Sequence, residues 1–276
     1  MIHPIMAFDP RIVIGPMQVG SLLSAVFYGC LVSQIYLYFK LFPTDPRGFK
    51  IFVIALGIWQ LGHFICLVAT LWSMTVIAYD HPSILDTLPL GTKIILLLSS
   101  FTCSTVQAFY TIRLWKISNI VILPLVSGML GITAQVAAFI FVVRAFNMAN
   151  LETFGKDQHF IITFAAISRS ASDIFTTIGI AATTLKKRSL YVSGATATTR
   201  LADRVIAWML ETCLVASLLT FSIAVLLLTL PNNSWFGLYL INANLIANSL
   251  LAWLNRRFMF MREMDLTVCS TINFAE

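Results

Sequence analysis

Two ionisable residues stand inside an otherwise apolar run. Arg169 and Asp173 are four residues apart, which puts them on one face of a helix. An uncompensated charge in hydrocarbon is costly, and a compensated one less so. Such a pair can hold or pass a proton, bind an ion or polar ligand, or fix a helix's rotation by mutual neutralisation. Glu211 lies near the start of a later apolar run, within reach of Arg204 and the basic loop before it. His63 is the one histidine inside an apolar run; His3, His81 and His159 fall in loops or at their edges. A hydrolytic zinc site takes about three protein ligands, so no metal is expected. Asn244, Asn248 and Asn255 are spaced by four and seven residues and share a helical face. In lipid such groups need partners, so this face should point into a bundle, as should Gln60, Gln107 and Gln135. The candidate intramembrane polar site is therefore Arg169, Asp173, Glu211, His63, Asn244 and Asn248. The two asparagines read more readily as interhelical glue.

Several chemistries are excluded. No nucleophile, base and metal set can be assembled, so no catalytic residue is assigned and an enzyme is not expected. The last apolar run has no Lys, and none follows Lys187, which removes a retinal Schiff base. No glycine-rich phosphate loop occurs. No cofactor is expected. Cys30, Cys66, Cys103 and Cys213 sit in apolar runs and Cys269 near the C-terminus, a pattern of buried small residues and not of a disulfide framework.

The elements that must position these residues are membrane helices. Of 276 residues, 58% are hydrophobic and 11% charged, with mean hydropathy +0.86. Soluble domains carry roughly 25% charged residues. A chain this apolar is an all-α, polytopic integral membrane protein. Apolar segments fall at about 14–39, 49–78, 88–112, 120–143, 160–185, 205–230 and 236–255, predicting a seven-transmembrane-helix bundle within 1–257 and a flexible tail at 258–276. Ser21, Ala25, Gly29 and Ser33 form a small-residue stripe on the first, where another helix should approach closely. The first segment is too long for a signal-peptide core and should act as an uncleaved anchor. Seven crossings place thirteen Lys and Arg on one side and only four, Arg11, Lys93, Arg144 and Lys156, on the other. By the positive-inside rule the N-terminus is expected outside and the C-terminus in the cytosol. The net charge of +6 is explained by this asymmetry, so no nucleic-acid partner is expected.

The C-terminal half also resembles a known family. The residues are Ser172-Asp173, Leu210-Glu-Thr212 and Asn248-Ser-Leu-Leu-Ala-Trp-Leu-Asn-Arg256. Earlier in the chain, Tyr36-x-Tyr-Phe-x-x-Phe-Pro-x-Asp-Pro46, Val106-Gln107 and Arg113-Leu-Trp115 fit as well. Together they resemble the basidiomycete seven-helix proteins that end in Domain of Unknown Function six-five-three-four, here at about 165–257. Cys213 departs from the pattern, where the family often has Gly. The resemblance implies a multi-pass protein of a fungal plasma membrane or endomembrane. It implies no activity, because the family has none established.

Three roles remain open. A receptor-like or sensory protein would take a small ligand from the outer side, near Arg169, and meet a cytosolic protein at the basic loop 186–204. A transporter or proton-coupled channel would use Asp173, Arg169 and Glu211. A non-enzymatic scaffold would use none of them. Beyond these, the lipid bilayer is the one partner that composition demands.

Overall fold

The structure is a computed structural model. It describes the backbone at 10–81, 84, 88–118, 120–147, 151–191, 197–230 and 234–273, and side chains over a narrower set that leaves out 10–13, 151–157, 184, 187–210 and 257–276. Among the described residues all long elements are helices. They are α1 (Pro10–Leu41), α2 (Arg47–Trp72), α3 (Leu90–Ile117), α4 (Ile122–Asn147), α5 (Leu151–Tyr191), α6 (Ala197–Thr229) and α7 (Ser234–Asn273). One π-helical turn (Ser73–Ile77) and a last α-helical turn (Ala78–Asp80) prolong α2.

The start points follow proline chemistry. Pro10 opens α1, Pro46 and Pro89 cap α2 and α3 in extended conformation, and Pro124 lies in the first turn of α4. At these positions a missing N–H leaves no carbonyl unsatisfied. The π turn coincides with hydroxyls that bond back to the preceding turn: Ser73 Oγ donates to the Ala69 carbonyl at 2.9 Å and Thr75 Oγ1 to that of Leu71 at 2.7 Å.

Among the described residues six helices are long and apolar enough to cross a membrane: Ile14–Leu41, Arg47–Asp80, Leu90–Ile117, Ile122–Asn147, Glu211–Thr229 and Ser234–Arg256. The helix α5 is not among them, because its described part carries Arg169, Asp173 and a series of Ser and Thr. Each helix runs past its expected apolar segment, since hydrogen bonding continues where hydropathy stops. At the C-terminus the helix persists to Asn273, whereas a separate tail was expected from residue 258.

Consecutive helices pack side by side, and α7 closes a ring against α1. The helix α3 also reaches α5 and α7, so it runs through the centre. Accordingly α3 has buried polar residues, Thr92, Ser99, Ser100, Thr102 and Gln107, where the outer helices show Val, Leu and Ile to the surroundings. The most extensive pairing is α1 with α7. It is made by glycine: a Cβ on Gly20 would fall 2.5 Å from the Gly237 carbonyl oxygen, and one on Gly237 2.5 Å from that of Pro16. The expected stripe Ser21-Ala25-Gly29-Ser33 is corrected here. Ser21 is buried, but Gly29 and Ser33 are exposed, and Gly29 has open space around its Cα. The face of α1 that meets α7 holds Gly20, Ser24 and Gln34, rotated from that stripe, and the buried Met17, Leu31 and Tyr38 continue it by helical spacing.

Candidate functional site

Arg169 and Asp173 do share one face of α5, and both line the same internal cavity between α3, α5, α6 and α7. Cys103, Gln107 and Tyr110 of α3, Cys213 and Ser217 of α6 and Ile246 of α7 complete most of its wall. Its volume is about 20 Å³. That is room for one water molecule. The buried Tyr110 hydroxyl borders this space and faces Thr212 and Cys213 of α6.

Mutual neutralisation was one of the open readings of Arg169 and Asp173, and the two make no direct ion pair. Arg169 instead turns across the bundle, donating to Gln135 Oε1 on α4 at 3.2 Å and to the Cys103 carbonyl on α3 at 3.5 Å. Gln135 in turn accepts from the Ser104 hydroxyl and donates through Nε2 to Ser100 Oγ at 2.9 Å. The Asp173 carboxyl faces Thr220 of α6. One amide therefore ties the cation of α5 to two hydroxyls of α3.

A second hydroxyl network adjoins the first. Gln107 Nε2 donates to Ser172 Oγ at 2.7 Å and to Thr176 Oγ1 at 3.0 Å. The Thr176 and Ser127 hydroxyls lie 2.6 Å apart, and those of Ser127 and Thr111 3.1 Å apart. Thr177 and Ser217 join α5 to α6 at 2.8 Å. Gly131 makes room for this seam, since a Cβ there would meet Gln107 Cγ at 3.3 Å.

The other candidates lie elsewhere. Glu211 is exposed and meets Arg256 of α7 at 3.4 Å; the side chain of Arg204, the partner expected from the sequence, lies outside the described residues. It does not line the cavity. His63 is fully buried on α2, with Nε2 3.1 Å from Ser99 Oγ, one turn from Gln60, which donates to Thr102 Oγ1 at 3.0 Å. Asn244 and Asn248 face α1. Asn244 Nδ2 donates to Ser24 Oγ at 2.6 Å, while Asn248 donates to the Phe27 carbonyl at 2.8 Å and accepts from Gln34 at 3.0 Å. Asn255 donates to the Gln34 carbonyl at 2.9 Å. This row is a ladder between α1 and α7. The loop 186–204, where a cytosolic partner is expected, falls outside the described side chains beyond Lys186.

Sequence reasoning missed Tyr110, Thr176, Thr177, Ser217 and Thr220 as cavity and network residues. A signal existed. Cys213 and Ser217 on α6 are four apart, as are Arg169, Asp173 and Thr177, and Ser172 and Thr176, on α5. Rows of small polar residues at that spacing mark faces turned inward.

An all-helical bundle with six membrane-length apolar helices and a charged, hydroxyl-lined centre is a multi-pass membrane protein of bundle type. Its C-terminal part, residues 169–259, matches the model of a family of unknown function (DUF6534). The matched segment covers the second part of α5, α6 and most of α7, and so holds Arg169, Asp173, Glu211, Asn244 and Asn248 but not His63. No curated protein and no solved structure matches the chain.

Proposed function

We propose that the protein spans the membrane seven times, with the N-terminus outside and the C-terminus in the cytosol, and acts as a receptor-like, non-enzymatic sensor. In this reading α5 is the seventh span. Its polar residues are accounted for by their inward partners: Arg169 by Gln135, Ser172 and Thr176 by Gln107, Thr177 by Ser217. The charge asymmetry of the loops supplies the orientation.

The observation that carries the receptor-like reading is the position of Arg169. Its guanidinium has two polar destinations, Gln135 across the bundle and Asp173 one turn along its own helix. In this reading the costly intramembrane charge exchanges Gln135 for Asp173, and the exchange is the switch. Movement between them would shift α3 and α4, which Gln135 ties together, relative to α5 and α6, whose far ends lead to the basic loop 186–204. A solute pathway has less support. The cavity admits a single water, and Glu211, one of the three residues a transporter was expected to use, stands outside it.

The test is a distance measurement between spin labels at Lys116 and Lys186, with the full chain in lipid vesicles. Asp173→Asn and Arg169→Gln should each redistribute the populations relative to the native chain. A sustained ion or solute flux abolished by Asp173→Asn would overturn the reading in favour of a transporter. Unchanged distances in both variants would leave a scaffold.

A further inference from the structure

The cavity between α3, α5, α6 and α7 is polar toward one end of the bundle and sealed toward the other. On α6 its wall is Cys213, Ser217 and Thr220, about one residue per turn over a rise of about 10 Å. Thr220 is beside the Asp173 carboxyl. The Ser217 hydroxyl lies 2.8 Å from that of Thr177, one turn from Asp173 on α5. At the far end of the row the Tyr110 hydroxyl faces Thr212 and Cys213. Two residues before Cys213, Glu211 is exposed and paired with Arg256. A hydroxyl or thiol therefore stands at each turn between the buried carboxyl and the exposed one.

The opposite direction is closed. Beyond Thr220 the buried residues of α6 are Ile223, Ala224 and Leu227. Leu227 packs with Leu96 of α3, Phe141 and Val142 of α4 and Ile162 of α5, and Trp235 of α7 lies against them. This plug sits where α3, α5 and α7 begin and α4 and α6 finish. In the topology proposed above that is the outer side, and Glu211 stands at the cytosolic side. Arg169 faces Asp173 from its own helix, Cys103 and Tyr110 from α3, and Cys213 from α6. The helix α4 offers the amide of Gln135, and its one charged residue, Arg144, is exposed in the last turn. The helix α7 gives Ile246 to the cavity, with Tyr239 near Cys103 and Arg169. Thiols and phenols are neutral at neutral pH and a guanidinium is charged throughout. Asp173 is thus the group of this set that a proton switches.

We propose that the ligand of the Arg169 switch is a proton, taken by Asp173 from the cytosolic side. The proton comes from hydronium at the cytosolic boundary, passes along the hydroxyls of α6 and the one water that the cavity admits, and is released by the same route. An ionised Asp173 draws the Arg169 guanidinium one turn along α5. A neutral Asp173 has no charge to draw it with, and Arg169 keeps Gln135. Acid on the cytosolic side therefore favours the Gln135 arrangement, and alkali the Asp173 arrangement. The plug at the outer end makes the route a dead end, which suits a sensor and not a carrier. The inference rests on the seven-span, receptor-like reading and names its ligand.

The experiment uses the full chain in lipid vesicles with its cytosolic face turned outward and the interior pH fixed. Infrared difference spectra between a neutral and an acidic bath should show the C=O band of a protonated carboxylic acid. The band should persist in Glu211→Gln and be lost in Asp173→Asn. The Lys116–Lys186 distances, read in the same vesicles, should shift on acidification toward those of Asp173→Asn at neutral pH, and that variant should not respond to pH. Acidifying the vesicle interior alone should change neither signal. Ser217→Val, which removes the hydroxyl beside Thr177, should slow the rise of the band after a pH jump, and Ser217→Thr should restore it. A band that follows the interior pH, a rise that Ser217→Val leaves unaltered, or no band assignable to Asp173 at any pH would overturn the proposal. The paired signals keep the two readings apart. A titrating Asp173 band without any distance change sustains the proton site and sinks the receptor-like role. Distances that respond to Asp173→Asn but never to the bath pH sink the proton site alone.

Discussion

The guanidinium of Arg169 donates to the side-chain oxygen of Gln135 at 3.2 Å and leaves Asp173, four residues along the same helix, without a direct ion pair. The two charges still border one water-sized cavity. They therefore interact through a short polar gap, and each is held by a different helix: Arg169 by α4 and α3, Asp173 beside Thr220 of α6. This arrangement predicts how the pair responds to substitution. Arg169→Gln and Asp173→Asn each leave one charge without its counter-charge, whereas the double variant removes both. A double-mutant cycle in mixed micelles should give a coupling of about 1 kcal/mol, the double variant being less destabilised than the sum of the singles. Strict additivity would mean that the cavity screens the two groups from each other.

Asn248 is the most connected rung between α1 and α7, bonded to Phe27, Gln34 and its own helix at Asn244. Interhelical hydrogen bonds in membranes contribute about 0.6 kcal/mol each. Asn248→Leu should lower stability by about 1–2 kcal/mol in reversible unfolding, because it also strands the Gln34 amide. Asn255→Leu, which loses the one bond to the Gln34 carbonyl, should cost about half as much.

Glycine position separates two sites on α1 that look alike in sequence. Gly20→Leu should disrupt the bundle, because the new side chain meets the Gly237 backbone. Gly29→Leu should leave the melting temperature in detergent almost unchanged, as nothing lies within 4 Å of its Cβ position. Equal loss in the two variants would contradict the α1–α7 contact described above.

Tyr38 carries the first loop. Its ring is fully buried against Phe39 and Phe42, and its hydroxyl donates to Asp45 Oδ2 at 2.8 Å. Tyr38→Phe keeps the packing and removes the donor. Stability should fall by about 1 kcal/mol, with faster proteolytic cleavage between Leu41 and Arg47. Unaltered cleavage would show that packing alone holds the turn.

The ion pair of Glu211 with Arg256 is exposed on both sides. Glu211→Gln should therefore change stability by less than about 0.5 kcal/mol, and the change should vanish in high salt. A larger effect would return Glu211 to the list of functional candidates.

Much of this molecule is legible in its composition and periodicity. Runs of about 20 apolar residues admit little besides membrane helices, because lipid leaves backbone groups no other partner. The Asn244, Asn248 and Asn255 row was readable as an inward face, and it is the ladder to α1. The tyrosine and aspartate of Tyr36-x-Tyr-Phe-x-x-Phe-Pro-x-Asp-Pro46 turn out to be hydrogen-bonded to one another through Tyr38 and Asp45. The charges and hydroxyls of α5 are spent on neighbours that the sequence does not identify.

The sequence by itself determined where the apolar cores of the helices lie, which residues in them cannot face lipid, and that Arg169 and Asp173 share a face. These are local properties, set by spacing along one chain. Only the tertiary structure decided which helix each inward face meets. Glycine contact at Gly20 and Gly237 rotates α1 away from its own small-residue stripe. Gln135, one amide among several in the sequence, becomes the partner of Arg169 because α4 packs against α5. Whether four-apart charges pair with each other or with other helices depends on what packing brings within hydrogen-bond reach. Packing is non-local, so spacing along the chain has no record of it.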